Sequence, residues 1–324
     1  MFRHSIITQE QLISADGTQQ FDLGVNPLSF LMLGIRPLND TGTLANFARA
    51  NALAQSLEAV RVLYRGAAVV SIRGEDLLQL NYFRNGMIPF EANGADTDNE
   101  RRCLALPLLL GRHAYDPDSC LPAAIRGELV LEVQFDIADT GYDGLRFDVL
   151  ACELPDAKPS HFERTTSIAR TFPATGFNDV PLAIGNTCRG LMLFGTTGFG
   201  GAAPAPTWGR VSTLLDNEEV GVQAVDFEIA HQLHQLMGIA PPTGQRHSHR
   251  VDATAAVTTQ ATAAGPHGEG LGDGFNQYMW LDFDPTRDDA HSIETAGHNS
   301  WMIRANVETA DAARVIQIER IALG

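Results

Sequence analysis

One order of elements is written twice along this chain of 324 residues, and that repetition restricts the fold more than any single motif. In the first half, "VRVLYRGAAVVSIRGEDLLQLNYFRNG" reads strand, tight Arg65-Gly66 turn, strand, short helix. In the second half, "RVSTLLDNEEVGVQAVDFEIAHQLHQLMG" reads strand, Asp216-Asn217 turn, strand, short helix. Further on, each half has an apolar strand, a polar loop containing Asp-Pro, a long strand, an Ala-Asp turn and a closing strand that ends in Leu. Val62 and Val211, which begin the hairpins, are 149 residues apart, whereas Asp116-Pro117 and Asp284-Pro285 are 168 apart. The second half is therefore longer in between. The segment 238–274, rich in Gly, Ala, Thr and Pro, accounts for this and reads as a long surface loop.

The remaining apolar runs are short, rich in β-branched residues and bounded by Gly and Pro, which favours strands over helices. Three helices are expected, over 74–85, 226–238 and about 43–58. In the second of these Ile229, Leu233, Leu236 and Met237 share one face, and Gly238 is the stop. Each half accommodates about eight strands, and antiparallel sandwiches of that size are commonly jelly rolls. The expected fold is mainly β: two tandem eight-stranded antiparallel jelly rolls with a few short helices. The expected layout is a polar N-terminal arm over 1–19, a first jelly roll over 20–155, a linker over 156–165 containing Lys158 and Pro159, and a second jelly roll over 166–324.

Net charge is −16, from 39 acidic and 23 basic residues, and no dense Lys/Arg run occurs. Such a surface repels a phosphate backbone and argues against sequence-specific nucleic-acid binding. No apolar stretch approaches the roughly 20 residues of a membrane span. The N-terminus lacks the apolar core of a secretory signal. Cys103, Cys120, Cys152 and Cys188 are scattered without a CxxC pair and read as reduced thiols.

Several stretches imitate chemical sites. Asp282-Phe283-Asp284-Pro285-Thr286 spells the Asp-x-Asp-x-Thr that opens haloacid-dehalogenase-type phosphohydrolases, where the first Asp is nucleophile and the second general acid. That chemistry needs a parallel α/β sheet and a downstream Lys. Only 38 residues follow Thr286, and none is Lys. A strand end running into a turn explains the stretch better. His247-Ser248-His249 suggests a cupin-type metal site, but the cupin pattern's next Glu is missing and the pair lies in the polar loop. His231 and His234 sit three apart on an expected helix, as surface or core-edge residues often do. Asp282, Asp284, Asp288 and Asp289 are clustered as a structural Ca²⁺ site would need, without EF-hand spacing. The Gly-rich stretches 198–206 and 268–274 lack the strand and helix that a phosphate-cradling loop requires. No catalytic, cofactor-binding or metal-ligating residue is assigned, and no cofactor is expected.

The tandem arrangement resembles the double jelly-roll major capsid proteins of tailless, membrane-containing icosahedral bacteriophages, which share their coat architecture with adenovirus. The stretches that carry the resemblance are "NPLSFLMLGIRPL", "VVSIRGEDLLQLNY", "FNDVPLAIGNTCRGLMLFG" and "VDFEIAHQLHQL", and it covers roughly residues 20–324. It implies a structural subunit without enzyme activity, assembled in a host cytoplasm and located in the virion. Three copies would form a pseudo-hexagonal trimer that tiles a shell. Partners would be other copies, neighbouring capsomers, minor capsid or penton proteins, and an internal lipid membrane reached by the N-terminal arm. Two other readings make the chain a two-domain cupin-like metalloenzyme or a carbohydrate-binding β-sandwich. The second needs exposed aromatic platforms, and Trp280 and Trp301 lie in apparent strands.

Overall fold

A computed structural model describes residues 1–39, 50–86, 90–93, 102–137, 142–197, 206–227, 229–230, 233, 249–251, 257–259 and 277–323. It divides into two compact units: Met1–Thr166 with Arg320–Gly324, and Ser167–Glu319.

The first unit contains β1 (Arg3–Ile13), β2 (Gly17–Asp22), β3 (Leu28–Asn39), α1 (Ala50–Gln55), β4 (Leu57–Tyr64), β5 (Ala67–Ile72), α2 (Gly74–Asn85), β6 (Phe90–Asn93), β7 (Arg102–Leu109), β8 (Leu129–Phe135) and β9 (Tyr142–Glu153). It also holds the start of β10 (His161–Thr171). One sheet has the order β1-β9-β3-β7-β6; the other runs β10-β5-β4-β8-β2. Strands alternate as sandwich strands must. In β8, Leu129, Leu131, Val133 and Phe135 are buried while the residues between them are partly exposed. Phe135 and Phe147 meet edge to face across the core at 5.1 Å. Gly86, in the left-handed region at φ 58°, ends α2, and its N–H bonds to the Tyr82 carbonyl.

The second unit contains the rest of β10, then β11 (Gly176–Pro181), β12 (Thr187–Gly195), β13 (Trp208–Leu215), β14 (Glu218–Glu219), β15 (Val225–Asp226), β16 (His249–Val251), β17 (Val257–Thr259), β18 (Tyr278–Asp282), β19 (Ile293–Glu294), β20 (Trp301–Val307) and most of β21 (Ala312–Ala322). Its sheets run β18-β12-β21-β10 and β11-β20-β13-β14. The core gathers Trp208, Trp301, Phe283 and Phe172 with Leu and Val from both sheets, and Phe172 meets Trp208 edge to face at 5.1 Å.

The duplication extends to hydrogen-bond register. In the first unit β2, β8 and β4 lie side by side: Gly17 faces Phe135 and Asp22 faces Val130, while Leu57 faces Phe135 and Tyr64 faces Leu129. In the second, Gly176 faces Val307 and Pro181 faces Met302, while Trp208 faces Val307 and Leu215 faces Trp301. The β4–β8 pair has one register shift, between Leu57 and Ala59, and the β13–β20 pair has one at the matching place, between Trp208 and Arg210. Both hairpins turn on two residues of positive φ, Arg65 (53°) with Gly66 (77°), and Asp216 (50°) with Asn217 (69°). Those are type I′ turns, whose twist suits a two-residue hairpin. Eight strands of each repeat, β1–β5 with β7–β9 and β10–β14 with β18, β20 and β21, take corresponding places in two four-stranded sheets.

Four expectations are corrected. Residues 1–19 do not form a separate arm: β1 is hydrogen-bonded along β9 and β2 along β8. Their polar sequence hid this, because an edge strand exposed on its faces needs no apolar alternation. The expected linker, 156–165, becomes strand from His161 onward. The second repeat does not keep the chain to its end, since Arg320–Gly324 group with the first unit. Of the helix expected over 43–58, residues 43–49 lie outside the described residues, and α1 stops at Gln55 because Leu57 already enters β4. The helix over 74–85 has the expected bounds. Of the helix over 226–238, Asp226 instead ends β15; the described Phe227, Ile229, Ala230 and Leu233 are helical, and the other residues lie outside the described residues, as does nearly all of 238–274.

Candidate functional site

The corner after β18 collects the carboxylates that imitate an active site. It begins where the Phe283 N–H bonds to the Arg189 carbonyl at 2.9 Å. Asp282 Oδ1 accepts the N–H of Asp284 (2.9 Å), and Asp284 Oδ1 accepts the N–H of Asp289 (2.8 Å). Asp288 Oδ1 accepts the Thr286 hydroxyl (2.6 Å) and the Ala290 N–H (3.0 Å). Those bonds, the Thr286 hydroxyl foremost, hold the Asp288 carboxyl below the usual range. Arg189 reaches up from β12, buried, and grips Asp289 with Nε (2.7 Å) and Nη2 (2.9 Å), with Asp284 Oδ2 at 3.9 Å from Nε. The forked guanidinium matches a carboxylate edge. Asp282 and Asp284 thus hold their own backbone turn at the end of an antiparallel strand, not a nucleophile on a parallel sheet.

The first repeat builds the same corner with Ser29 in the place of Arg189. There the Leu110 N–H bonds to the Ser29 carbonyl at 3.0 Å, and the Ser29 hydroxyl accepts the Tyr115 N–H at 2.9 Å. Asp116 Oδ1 accepts the N–H of Asp118 (3.0 Å), as Asp282 does for Asp284. Leu28 bridges to Leu121 just as Cys188 pairs with Ile293. The Asp-Pro stretches are therefore two versions of one strand-to-strand corner.

A second matched pair was missed by sequence reasoning. Asn26 donates its amide to Glu153 Oε2 (2.7 Å), and Asn186 donates to Glu319 Oε1 (3.2 Å). Both glutamates are buried near the end of a long strand. A signal was present: Asn26 and Asn186 each stand five residues before a Leu-Met-Leu, at Leu31–Leu33 and Leu191–Leu193.

The other candidates are not brought together. His231, His234 and His247 lie outside the described residues, as do 198–205 and 268–274; His249 begins β16, opposite Thr259 of β17. Among the described residues, no group of three or more His, Cys, Asp or Glu is placed to hold a metal ion. The cysteines are free thiols, and burial pushes Cys120 up to about 12 and Cys188 higher still, which opposes thiolate chemistry. Trp280 and Trp301 are buried and offer no platform to a glycan.

What is exposed is apolar surface at strand edges and sheet faces. Phe177 on β11 is 81% exposed, and Ile6 and Leu12 on β1 are 65% and 61% exposed. Near the start of β1, Phe2, His4 and Tyr115 form an exposed aromatic cluster against Phe30, with centroids 5.2–6.2 Å apart. Apolar side chains left at an open sheet edge suit contact with another chain.

No family model matches the sequence, and no curated protein matches it. Solved structures do. The major capsid protein from bacteriophage PM2 superposes with a TM-score of 0.65 at 10% identity, over 100% of this chain and 98% of that one. A chain from Sulfolobus turreted icosahedral virus gives 0.68 at 10% identity, over 99% and 91%. A chain of the PBCV-1 virus capsid gives 0.59 at 9% identity, over 99% and 93%. Fold similarity along the whole chain, together with the doubled eight-stranded register, makes this a double jelly roll of the kind found in those capsid proteins.

Proposed function

We propose that the chain is a viral major capsid protein, a structural subunit without enzyme activity whose trimers tile an icosahedral shell. The observation that carries this reading is the repetition of one jelly roll, register for register, in a chain that matches capsid proteins from end to end. A tile with near-sixfold outline built from three chains needs two similar domains in each, which duplication supplies. The carboxylates of the 282–289 corner are engaged in holding a turn, so they support a structural role over a hydrolytic one. In this reading the partners are other copies, adjoining capsomers, minor capsid or penton proteins, and lipid beneath the shell. The site of action is the virion, after assembly in a host cytoplasm.

Mass measurement of the purified protein tests the proposal. A species of three times the 35.1 kDa chain mass is expected, with pseudo-hexagonal tiles in electron micrographs. A monomer carrying a stoichiometric transition metal would overturn it.

A further inference from the structure

The first strand of each repeat meets a different fate at its outer edge. β10 begins inside the first unit, where Thr165 and Thr166 pair in parallel with Val70 and Ser71 of β5. β1 takes the corresponding place in the first repeat, yet among the described residues it is the end of its sheet, and β9 is its only strand partner. The counterpart of β5 in the second repeat is the β14–β15 edge, which likewise has β13 as its only described neighbour. Among the described residues, the outer edge of β1 and the β14–β15 edge therefore have no strand partner. Their counterparts are joined within the chain.

The register can be carried over. Ile13, which ends β1, and Phe172, which directly follows β10, are both buried. Two register shifts give β1 two residues more than the stretch of β9 it pairs with. Counting back from Ile13 and from Phe172, His4 and Ser5 take the places of Thr165 and Thr166. On the receiving side, Val60 pairs with Ile72, and its counterpart Val211 pairs with Val225. Counted along the sequence from that pair, Gln223 and Ala224 hold the positions of Val70 and Ser71, in a stretch where Thr213 bonds to the backbone of Val220 and Val222.

We propose that β1 of one copy adds in parallel to the β14–β15 edge of a second copy, with His4 and Ser5 beside Gln223 and Ala224. The inference rests on the trimer reading and names the strand contact that would close it. The chemistry fits. The entering end carries exposed Arg3, and the receiving edge carries exposed Glu218 and Glu219, so the two edges attract by charge. The contact is head to tail, using two different surfaces, so it closes into a ring of three only if its rotation is a third of a turn. Both edges are also protected from open-ended pairing. β1 is bulged with Glu10 at φ 52°, and the receiving edge is broken by Ala224 at φ 48°. Two rungs can form there, as between β10 and β5, and a long ribbon cannot.

Cysteine pairing tests this on the full chain. Ser5→Cys with Ala224→Cys, and separately His4→Cys with Gln223→Cys, are oxidised and run without reductant. Neighbouring strands bring Cα atoms within the span of a disulfide. Covalent species of two and three chains are expected from at least one double variant, with none from the single variants or from the unaltered chain. A trimer by mass in which neither pair cross-links overturns this contact and leaves the trimer standing. A monomer overturns both. Should the variants misfold, amide exchange on the unaltered chain decides the matter: β9 already protects part of Arg3–Ser5, so slower exchange of these amides in the oligomer than in the dissociated chain supports the contact, and equal exchange in both overturns it.

Discussion

Arg189 and Ser29 occupy one position in two repeats and close it by different chemistry. Ser29 offers a hydroxyl to the Tyr115 N–H, whereas Arg189 brings a buried cation to Asp284 and Asp289. Removing the cation takes the guanidinium away from two carboxylates, Asp284, 1% exposed, and Asp289. Breaking a buried pair from one side costs about 3–5 kcal/mol, while losing a neutral hydrogen bond costs about 1. Arg189→Ala should therefore lower the unfolding free energy several-fold more than Ser29→Ala, measured by urea titration at neutral pH. Equal losses would mean that Asp284 finds enough other support. The sequence displayed the acids plainly and left out the partner that decides their role. Arg189 lies nearly a hundred residues upstream, and no spacing rule connects it to Asp284 and Asp289. For that reason Asp-x-Asp-x-Thr reads as chemistry in the sequence and as a corner in the fold.

Among elements, the duplicated sheet keeps its register while its outward rows change sign. Across β2, β8 and β4 the row is Gln20, Glu132, Arg61; the matching row on β11, β20 and β13 is Asp179, Arg304, Ser212. Arg61 and Gln20 both donate to Glu132 (2.7 and 2.9 Å), and Arg304 grips Asp179 with two bonds (2.8 and 2.9 Å). These contacts hold both carboxyls below their ordinary range: Gln20 is the larger cause for Glu132, and Arg304 the cause for Asp179. A carboxyl whose folded pKa is depressed adds stability above its unfolded pKa, near 4, and loses it as pH falls further. The thermal midpoint should drop between pH 5 and pH 3, and drop less in the combined Glu132→Gln, Asp179→Asn variant. Calorimetry at the two pH values reads the difference, and parallel slopes would refute the assignment. Such freedom on the solvent face explains why the halves share so little sequence although their hairpins, turns and core strands were legible. Turn pairs such as Arg65-Gly66 and Asp216-Asn217 and inward alternation are set by backbone and core; outward rows are not. β1 was illegible for the same reason, since nearly all of it is an outward row.

At the scale of the whole molecule, the chain is not two beads in sequence. The second repeat opens with a strand whose first residues pair in the first unit, and the chain returns to that unit with Arg320–Gly324. The return is anchored by the Leu323 N–H on the Ser160 carbonyl at 2.8 Å, beside the Glu163 N–H on the Leu110 carbonyl at 3.0 Å. Glu163, fully buried, also pairs with Arg84 of α2, so the start of β10 ties a strand to the helix beneath it. Composition cannot show this crossing, because a boundary drawn from Pro155, Lys158 and Pro159 assumes that a linker joins finished domains. A deletion can. Removing the last five residues should leave the second unit's core, built from Trp208, Trp301 and Phe283, little changed. It should speed amide exchange first around Ser160–Thr166, far away in sequence from the cut. Peptide-resolved hydrogen exchange distinguishes the two outcomes, for local opening reports the unit that has lost its contacts. If exchange rises instead only along β20 and the remainder of β21, the repeats fold as consecutive domains and the crossing strands contribute nothing to the first.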